Sequence, residues 1–335
     1  MGPPMRGRCP CASSLAKLRL DVVGGRGTLG GRAERFRLIR FVSVGLTLGA
    51  VLGAATVRAA PISFADLLAR PRPAPSQMIH YGAGPEQFGQ LWLPSTRGPH
   101  PVVVMIHGGC WLASLPGVEL TAPVAEDLMR RGIAVWNLEY RRLGDRGGGY
   151  PGTFEDIGRG VDRLRALAVA DHLDLRHVVI VGHSAGGQLA LWAAARRRLM
   201  GRERLSGADP LPVSGVVSLA GVADLAAYRA SGPGACGEPE TIDRLVGAPR
   251  RTAPGAYADT SPAAMLPIGV RQTVVSGALD PIVPARFGEA YSAKARAAGD
   301  PARSVVIREA GHFELIDPTS PAWRRIVPLI EAMLK

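Results

Sequence analysis

VVIVGHSAGG, residues 178–187, is an apolar run followed at once by a glycine-rich turn around Ser184. The stretch QLALWAAARRR after it has a helical composition. A strand, a sharp G-x-S-x-G turn and a helix, in that order, form the context of a nucleophile elbow. Ser184 is then predicted to project from the top of a sheet, with the backbone N–H of Ala185 directed at a developing oxyanion. The alternative is a serine that merely occupies a glycine-rich turn.

Short apolar runs alternate with helical patterns on both sides of this turn. Continuous runs such as VVVMI, residues 102–106, are typical of strands that are covered on both faces. The alternation predicts an α/β fold with a mostly parallel central sheet and helices on both faces. The predicted strands are Phe88–Leu93, Val102–His107, Ile133–Leu138, His177–Gly182, Gly215–Leu219, Gln272–Ser276 and Ser304–Arg308.

Two helices are predicted from apolar residues that recur at spacings of three and four. One covers Ile157–Ala168, and the other covers Trp323–Leu334, where Pro328 predicts a kink. Residues 61–87 are rich in proline and predict an extended lead-in to the first strand. Residues 224–267 are rich in Gly, Pro and Ala and break the alternation, which predicts a short lid-like insertion.

HGGCW, residues 107–111, follows the run VVVMI directly. Two adjacent glycines let backbone N–H groups approach a substrate closely, so we expect Gly108 and Gly109 to supply oxyanion donors beside Ala185. Trp111 is predicted to bind substrate as a bulky wall that favours short acyl groups, the alternative being a tryptophan packed in the core. His107 is expected to shape the loop by hydrogen bonding.

Asp280 and His312 each follow a predicted strand, where a side chain can point into the crevice at the carboxyl edge of the sheet. A carboxylate at that edge can orient an imidazole, which in turn can take a proton from a serine hydroxyl. The chain order Ser184, Asp280, His312 is the order of a Ser-Asp-His triad on such a sheet. Asp300 and Asp317 compete for the role of the acid, but neither follows a core strand.

Four motifs carry a resemblance to a known family: HGG-x-W at 107–111, GHSAGG at 182–187, GALDPIVP at 277–284 and AGHF at 310–313. With them the chain resembles the α/β-hydrolases over about residues 78–335, and specifically the esterase and arylformamidase (kynurenine formamidase-like) branch. The resemblance implies Ser184 as nucleophile, Asp280 as acid and His312 as base. It also implies main-chain oxyanion donors from the Gly108–Gly109 loop and from Ala185.

The predicted function is that of a serine hydrolase, which cleaves small carboxylic esters or formamide-like acyl groups through an acyl-enzyme. The chemistry requires no metal and no organic cofactor, and the expected partner is a small acyl substrate. One alternative is a serine peptidase that resembles the prolyl oligopeptidase catalytic domain, although the chain has no room for the large N-terminal domain of that group. A non-catalytic binding protein with the same fold is the other alternative, and the intact Ser, Asp and His argue against it.

The basic excess of the chain lies mainly at its N-terminus. The net charge is +12, but residues 1–59 carry ten Lys and Arg against two Asp and Glu, which leaves only +4 for the remainder. A nucleic-acid partner is therefore not indicated.

Arginines precede the apolar run 41–57, and small residues end it at Ala59, as in a signal peptide. We expect an extension with an export signal over 1–59, cleavage near Ala59 or Ala60, a single catalytic domain over 60–335 and no stable membrane span in the mature form. An uncleaved membrane anchor is the alternative.

Four cysteines are too few for a disulfide scaffold and lack the spacing of a zinc site. In an oxidising compartment Cys110 and Cys236 could pair, if the insertion lies over the oxyanion loop. The sequence provides no distance between them, and it leaves the oligomeric state, the acyl group and the leaving group open.

Overall fold

The computed structural model describes residues 60–199, 201, 203–251 and 255–335. The predicted extension 1–59, with its export signal, lies outside the described residues. An eight-stranded sheet is the centre of the fold. Its strands are β1 (Gln77–His80), β2 (Phe88–Trp92), β3 (His100–Ile106), β4 (Ala134–Leu138), β5 (Leu173–His183), β6 (Gly215–Leu219), β7 (Arg271–Gly277) and β8 (Ala302–Ile307).

The strands lie in the order β1-β2-β4-β3-β5-β6-β7-β8. Strand β2 is antiparallel to both of its neighbours, and the strands from β4 to β8 in this order are parallel. The predicted α/β fold with a mostly parallel sheet is therefore confirmed. The central strands have continuous apolar runs because helices cover both faces, and residues 102–106 of β3 are fully buried.

Helices flank the sheet in the connections between strands. They are α1 (Phe64–Leu68), α2 (Ala122–Arg130), α3 (Gly152–Asp162), α4 (Leu164–Leu167), α5 (Ala185–Ala195), α6 (Glu203–Ser206), α7 (Leu225–Ser231), α8 (Glu240–Val246), α9 (Gly255–Ala258), α10 (Ala285–Ala297) and α11 (Pro321–Glu331). Short 3₁₀ turns cover Val118–Leu120, Arg196–Leu199, Pro262–Ala264 and Phe313–Ile316. Every residue of α5 is buried, which explains why its sequence is apolar on all sides.

The register of the parallel strands brings the loops of the predicted site together. Ile106 at the end of β3 pairs with Gly182 of β5, so the HGGCW loop leaves the sheet beside the serine turn. Gly277 at the end of β7 pairs with Ile307 of β8, which places the loops that carry Asp280 and His312 side by side. Carboxyl ends of parallel strands share one edge of the sheet, and all four loops leave from that edge.

The structure differs from the sequence predictions in the bounds of several elements, and three differences are larger. The lead-in 61–87 is not simply extended, because it contains helix α1 and strand β1. The helix predicted over Ile157–Ala168 is divided into α3 and α4, with Arg163 between them. Pro328 lies inside α11, and that helix ends at Glu331 instead of Leu334.

The predicted insertion 224–267 consists of the short helices α7, α8 and α9 and a 3₁₀ turn. Tyr228 of α7 is buried and donates from its hydroxyl to the backbone carbonyl of Ile282 (2.9 Å), two residues after Asp280. The insertion is thereby connected to the loop of the predicted acid. Within the described ranges, no helix has the length and apolar character needed to cross a membrane.

Candidate active site

Ser184 stands at the junction of β5 and α5 in a strained backbone conformation. Its φ is 56° and its ψ is −120°, a combination that residues with a Cβ rarely adopt. The Ser184 N–H donates to the carbonyl of Leu219 at the end of β6 (2.8 Å). A sharp, strained turn between strand and helix is the geometry of a nucleophile elbow.

The glycines of this turn are required by close packing. A Cβ on Gly186 would lie 2.2 Å from the carbonyl oxygen of Ile106 and 2.3 Å from that of His107. Helix α5 therefore begins directly against the end of β3, where no side chain fits between them. Ala185 is the first residue of α5, and N–H groups in the first turn of a helix have no acceptor within the helix. The N–H of Ala185 is thus available to a ligand above Ser184.

His312 and Asp280 form a buried hydrogen-bonded pair. The Nδ1–H of His312 donates to Oδ2 of Asp280 at 2.6 Å. The other carboxylate oxygen of Asp280 accepts from the N–H groups of Ile282 and Val283, at 2.8 and 2.9 Å. The carboxylate is therefore held in place from both sides, and it holds the His312 ring through Nδ1 and not through Nε2.

The two competing carboxylates have other partners. Asp317 pairs with Arg70 at 2.6 Å, and Asp300 accepts from the N–H groups of Ile268 and Gly269. The structure thus brings His312 to Asp280 and to neither alternative acid.

His183 contacts the His312 loop, a role that sequence analysis missed. Its ring is buried and lies 4.5 Å from the ring of His312, centroid to centroid. Its Nε2–H donates to the backbone carbonyl of His312 (3.0 Å). Burial, reinforced by the charge of His312, holds the pKa of His183 well below its usual value, so the ring is neutral. The one signal for this contact in the sequence is that His183 directly precedes Ser184.

The HGGCW loop turns closely around the serine. A Cβ on Gly108 would lie 3.0 Å from the His183 carbonyl oxygen and 3.1 Å from the Ser184 Cβ. Gly109, Cys110 and Trp111 all have positive φ, at 103°, 52° and 57°. Gly109 and Cys110 line the same cavity as Ser184. Backbone groups of this loop consequently approach the serine as closely as the two glycines allow.

A buried hydrogen-bonded pair, His107 and Glu139, supports the HGGCW loop. His107 makes hydrogen bonds through Nδ1 to the Gly108 carbonyl (2.7 Å) and through Nε2 to Oε1 of Glu139 (2.9 Å). Each ring nitrogen of His107 therefore faces an oxygen that can accept a hydrogen bond. Burial alone would raise the pKa of Glu139, but the charge and the hydrogen bond of His107 lower it to about 2. The other carboxylate oxygen of Glu139 accepts from the Val118 N–H (3.0 Å).

Trp111 lies in the core and not in the cavity wall. It is fully buried, and its indole N–H donates to Oε1 of Gln188 on α5 (3.0 Å). The predicted contact between Trp111 and substrate therefore has no support in its position. The left-handed backbone of the loop turns this side chain inward, which a sequence pattern does not reveal.

Cys110 is bonded to Cys236 of the insertion. The disulfide joins residues that are 126 positions apart, so it connects the insertion to the HGGCW loop. Ala235, the neighbour of Cys236, lines the cavity together with Cys110. The pairing that the sequence left open is present in the structure.

A cavity of about 210 Å³ opens above Ser184. His312 and Ser184 both line it, and its walls are otherwise almost entirely apolar. Among the described residues, no group of three His, Cys, Asp or Glu side chains is arranged to hold a metal ion. The lining residues are Phe64, Leu67, Gly109, Cys110, Leu115, Leu120, His183, Ser184, Ala235, Ile282, His312, Phe313 and Ile316.

The sheet order, the serine turn and the positions of the loops that carry Asp280 and His312 define an α/β-hydrolase fold, and solved structures agree. Esterase B of Lactobacillus rhamnosis has a TM-score of 0.68 at 19% identity, over 81% of this chain and 90% of that chain. A bacterial heroin esterase has a TM-score of 0.63 at 20% identity, over 81% and 87%. A bifunctional GH43-CE protein of Bacteroides eggerthii has a TM-score of 0.62 at 21% identity over 76% of this chain, which spans only 35% of that longer protein.

The chain belongs to the BD-FAE family, which it matches over residues 90–294. That span includes Ser184 and Asp280, and it ends before His312. No curated protein matches the chain in a sequence comparison. The narrower resemblance to arylformamidases stays a prediction.

Proposed function

We propose that the protein is a serine hydrolase that cleaves small carboxylic esters through an acyl-enzyme. The observation that carries the proposal is the placement of Ser184, in a strained elbow, beside a His312–Asp280 pair in one apolar cavity. Neighbours with the same fold are described as esterases, which supports the same reaction class. A non-catalytic protein has no need for a strained serine next to an oriented imidazole.

In the first half of the reaction, Oγ of Ser184 attacks the ester carbonyl carbon while Nε2 of His312 takes the hydroxyl proton. Asp280 stabilises the resulting imidazolium through the hydrogen bond to Nδ1. The imidazolium then gives its proton to the alcohol oxygen, and the carbon–oxygen bond breaks to leave the acyl group on Ser184. In the second half, His312 takes a proton from water, whose oxygen attacks the acyl carbon. The imidazolium then returns this proton to Oγ of Ser184 as the bond between Oγ and the acyl carbon breaks, which releases the acid and restores the serine.

The oxyanion of each tetrahedral intermediate is proposed to accept hydrogen bonds from the N–H of Ala185 and from the Gly108–Gly109 loop. Such donors act in a site that excludes water, where removal of one typically costs ~10²–10³ in turnover. The buried His107–Glu139 pair keeps the loop in place before substrate binds. The donors therefore need no rearrangement during the reaction.

The cavity favours a small apolar substrate. Its volume of about 210 Å³ lies below the ~300–1,000 Å³ that is usual for drug-sized ligands. Leucine, isoleucine and phenylalanine side chains make up most of its walls, so a charged peptide segment would lose its hydration there without compensation. These features support a short ester over the peptidase alternative.

A fluorophosphonate probe and a substrate panel test the proposal. Wild-type protein should be labelled at Ser184 and should hydrolyse short p-nitrophenyl esters, whereas Ser184→Ala should fold normally and lose both properties. The panel should include N-formylkynurenine, feruloyl and acetyl-xylan esters and a proline-containing peptide amide. Ester hydrolysis by Ser184→Ala at close to the wild-type rate would contradict the assignment, and efficient amide cleavage would favour the peptidase.

A further inference from the structure

Helix α1 forms part of the wall of the active-site cavity. Phe64 and Leu67, three residues apart on one face of this helix, line the cavity together with Ser184 and His312. Leu67 is 1% exposed, and the ring of Phe64 lies 5.4 Å from the ring of Phe313. The segment precedes residue 90, where the family match begins, so the family match does not account for this contact.

The segment is attached to the loop that carries His312. The Ile62 N–H donates to Oε1 of Glu314, and the Gly311 N–H donates to Oε2 of the same carboxylate (2.9 Å). Arg70, at the other end of the segment, pairs with the buried Asp317 at 2.6 Å. Two carboxylates of the 310–317 loop thus hold both ends of α1 against the cavity.

Local sequence makes this short helix form with a defined orientation. Ser63 and Asp66 form a capping box, in which each side chain accepts from the backbone N–H of the other. Phe64 and Leu67 line the cavity, whereas Leu68, which follows Leu67 directly, is 40% exposed and does not line it. A helix of five residues has little stability of its own, so its contacts with the rest of the protein keep it in place.

We propose that Phe64 and Leu67 are specificity-determining residues, which set the maximum length of the ester chain that the cavity accepts. The inference rests on the proposed ester hydrolysis. Each side chain occupies space that a longer substrate would need, and one methylene in such a pocket changes selectivity by about 10–200-fold. Because the segment is held by the loop of His312, it limits chain length directly beside the reacting atoms.

Substitutions of Phe64 in both directions test this assignment. The ratio of kcat/KM for an octanoyl ester to that for an acetyl ester should rise by about tenfold or more in Phe64→Ala, and it should fall in Phe64→Trp. Two series should be measured, p-nitrophenyl esters of increasing acyl length and acetate esters of increasing alcohol length. Leu68→Ala is the matched control on the same helix and should keep the wild-type ratio in both series.

The outcomes separate this inference from the proposed function. Wild-type protein without ester turnover or fluorophosphonate labelling would overturn the function itself. Normal turnover, with chain-length ratios in both series that neither Phe64 variant changes, would overturn the role of α1 alone. Thermal melting of each variant shows whether it folds. If Phe64→Ala does not fold, the octanoyl-to-acetyl ratio of kcat/KM in Phe64→Trp decides whether α1 limits chain length.

Discussion

Ser184 occupies a backbone conformation that costs an L residue about 1–3 kcal/mol. The surrounding structure holds Ser184 in this conformation, because α5 is buried on all sides and the Ser184 N–H donates a hydrogen bond to the carbonyl of Leu219. The strain positions Oγ above the sheet edge, where the cavity opens. The protein thus gives up stability at the residue that is proposed to react.

A glycine at this position should release the strain. We expect Ser184→Gly to be more stable than Ser184→Ala by about 1 kcal/mol, because glycine adopts positive φ without cost, although it loses more entropy on folding. Both variants lack the nucleophile and should be inactive. Urea unfolding of the two variants measures the difference, and an equal or lower stability of the glycine variant would show that the turn is not strained.

Trp111 illustrates a residue whose role depends on where its side chain points. We expect Trp111→Phe to lose about 1–3 kcal/mol of folding free energy, because Oε1 of Gln188 is left buried without its donor. The chain-length profile of ester hydrolysis should stay that of the wild type. Denaturant unfolding and the p-nitrophenyl ester series measure the two effects. If Trp111→Phe shifted the chain-length profile and left the folding free energy unchanged, the prediction that Trp111 contacts the substrate would be supported instead.

At the scale of elements, Glu139, the residue that follows β4, supports the HGGCW loop at the carboxyl edge of the sheet. Glu139 accepts from His107, from Val118 and from its neighbour Tyr140, so one carboxylate joins three segments. Tyr140 adds a hydrogen bond from its hydroxyl to the His107 carbonyl (3.0 Å). The HGGCW loop is therefore supported by the buried carboxylate of Glu139, and both oxygens of that carboxylate accept hydrogen bonds.

Glu139→Gln should destabilise the protein by about 3–5 kcal/mol, since it removes the charge of one partner from a buried hydrogen-bonded pair. The folded-state pKa of Glu139 is about 2, below its ordinary value of 4.5. Its contribution is therefore complete above pH 4.5 and is lost as the pH falls towards 2. The stability difference between wild type and variant should shrink between pH 5.5 and pH 3, as measured by urea unfolding at each pH. A difference that does not change with pH would contradict the role of the carboxylate.

At the scale of the whole molecule, the Cys110–Cys236 bond joins the first half of the sheet to the insertion. A cross-link between residues 126 positions apart restricts the unfolded chain strongly. Removal of such a bond typically costs about 2–5 kcal/mol. We expect that loss in a Cys110→Ser, Cys236→Ser double variant. A reductant should lower the melting temperature of the wild type and leave that of the double variant unchanged. Free thiols at both positions in the non-reduced protein would refute the pairing.

The disulfide also supports the proposed export, because such bonds persist in oxidising compartments. We propose that residues 1–59 contain a signal that is removed near Ala59 or Ala60. The segment that begins at Pro61 and contains α1 would then remain with the mature protein. N-terminal sequencing of the exported form should begin near Ala60, whereas an intact arginine-rich N-terminus in the membrane fraction would favour an anchor.

Local sequence was sufficient for seven of the eight strands, for the α/β class of the fold and for the motifs around Ser184, Asp280 and His312. Periodic apolar runs and glycine turns are short-range signals, and parallel strands bring their carboxyl ends to one edge whatever the details of packing. Contacts between residues that are distant in the chain decided the orientation and the support of the side chains around the site. The inward turn of Trp111, the support of the loop by Glu139 and the docking of α1 on the His312 loop each join residues that are distant in the chain. Their partners follow from packing in three dimensions, which the pattern of a single chain does not specify.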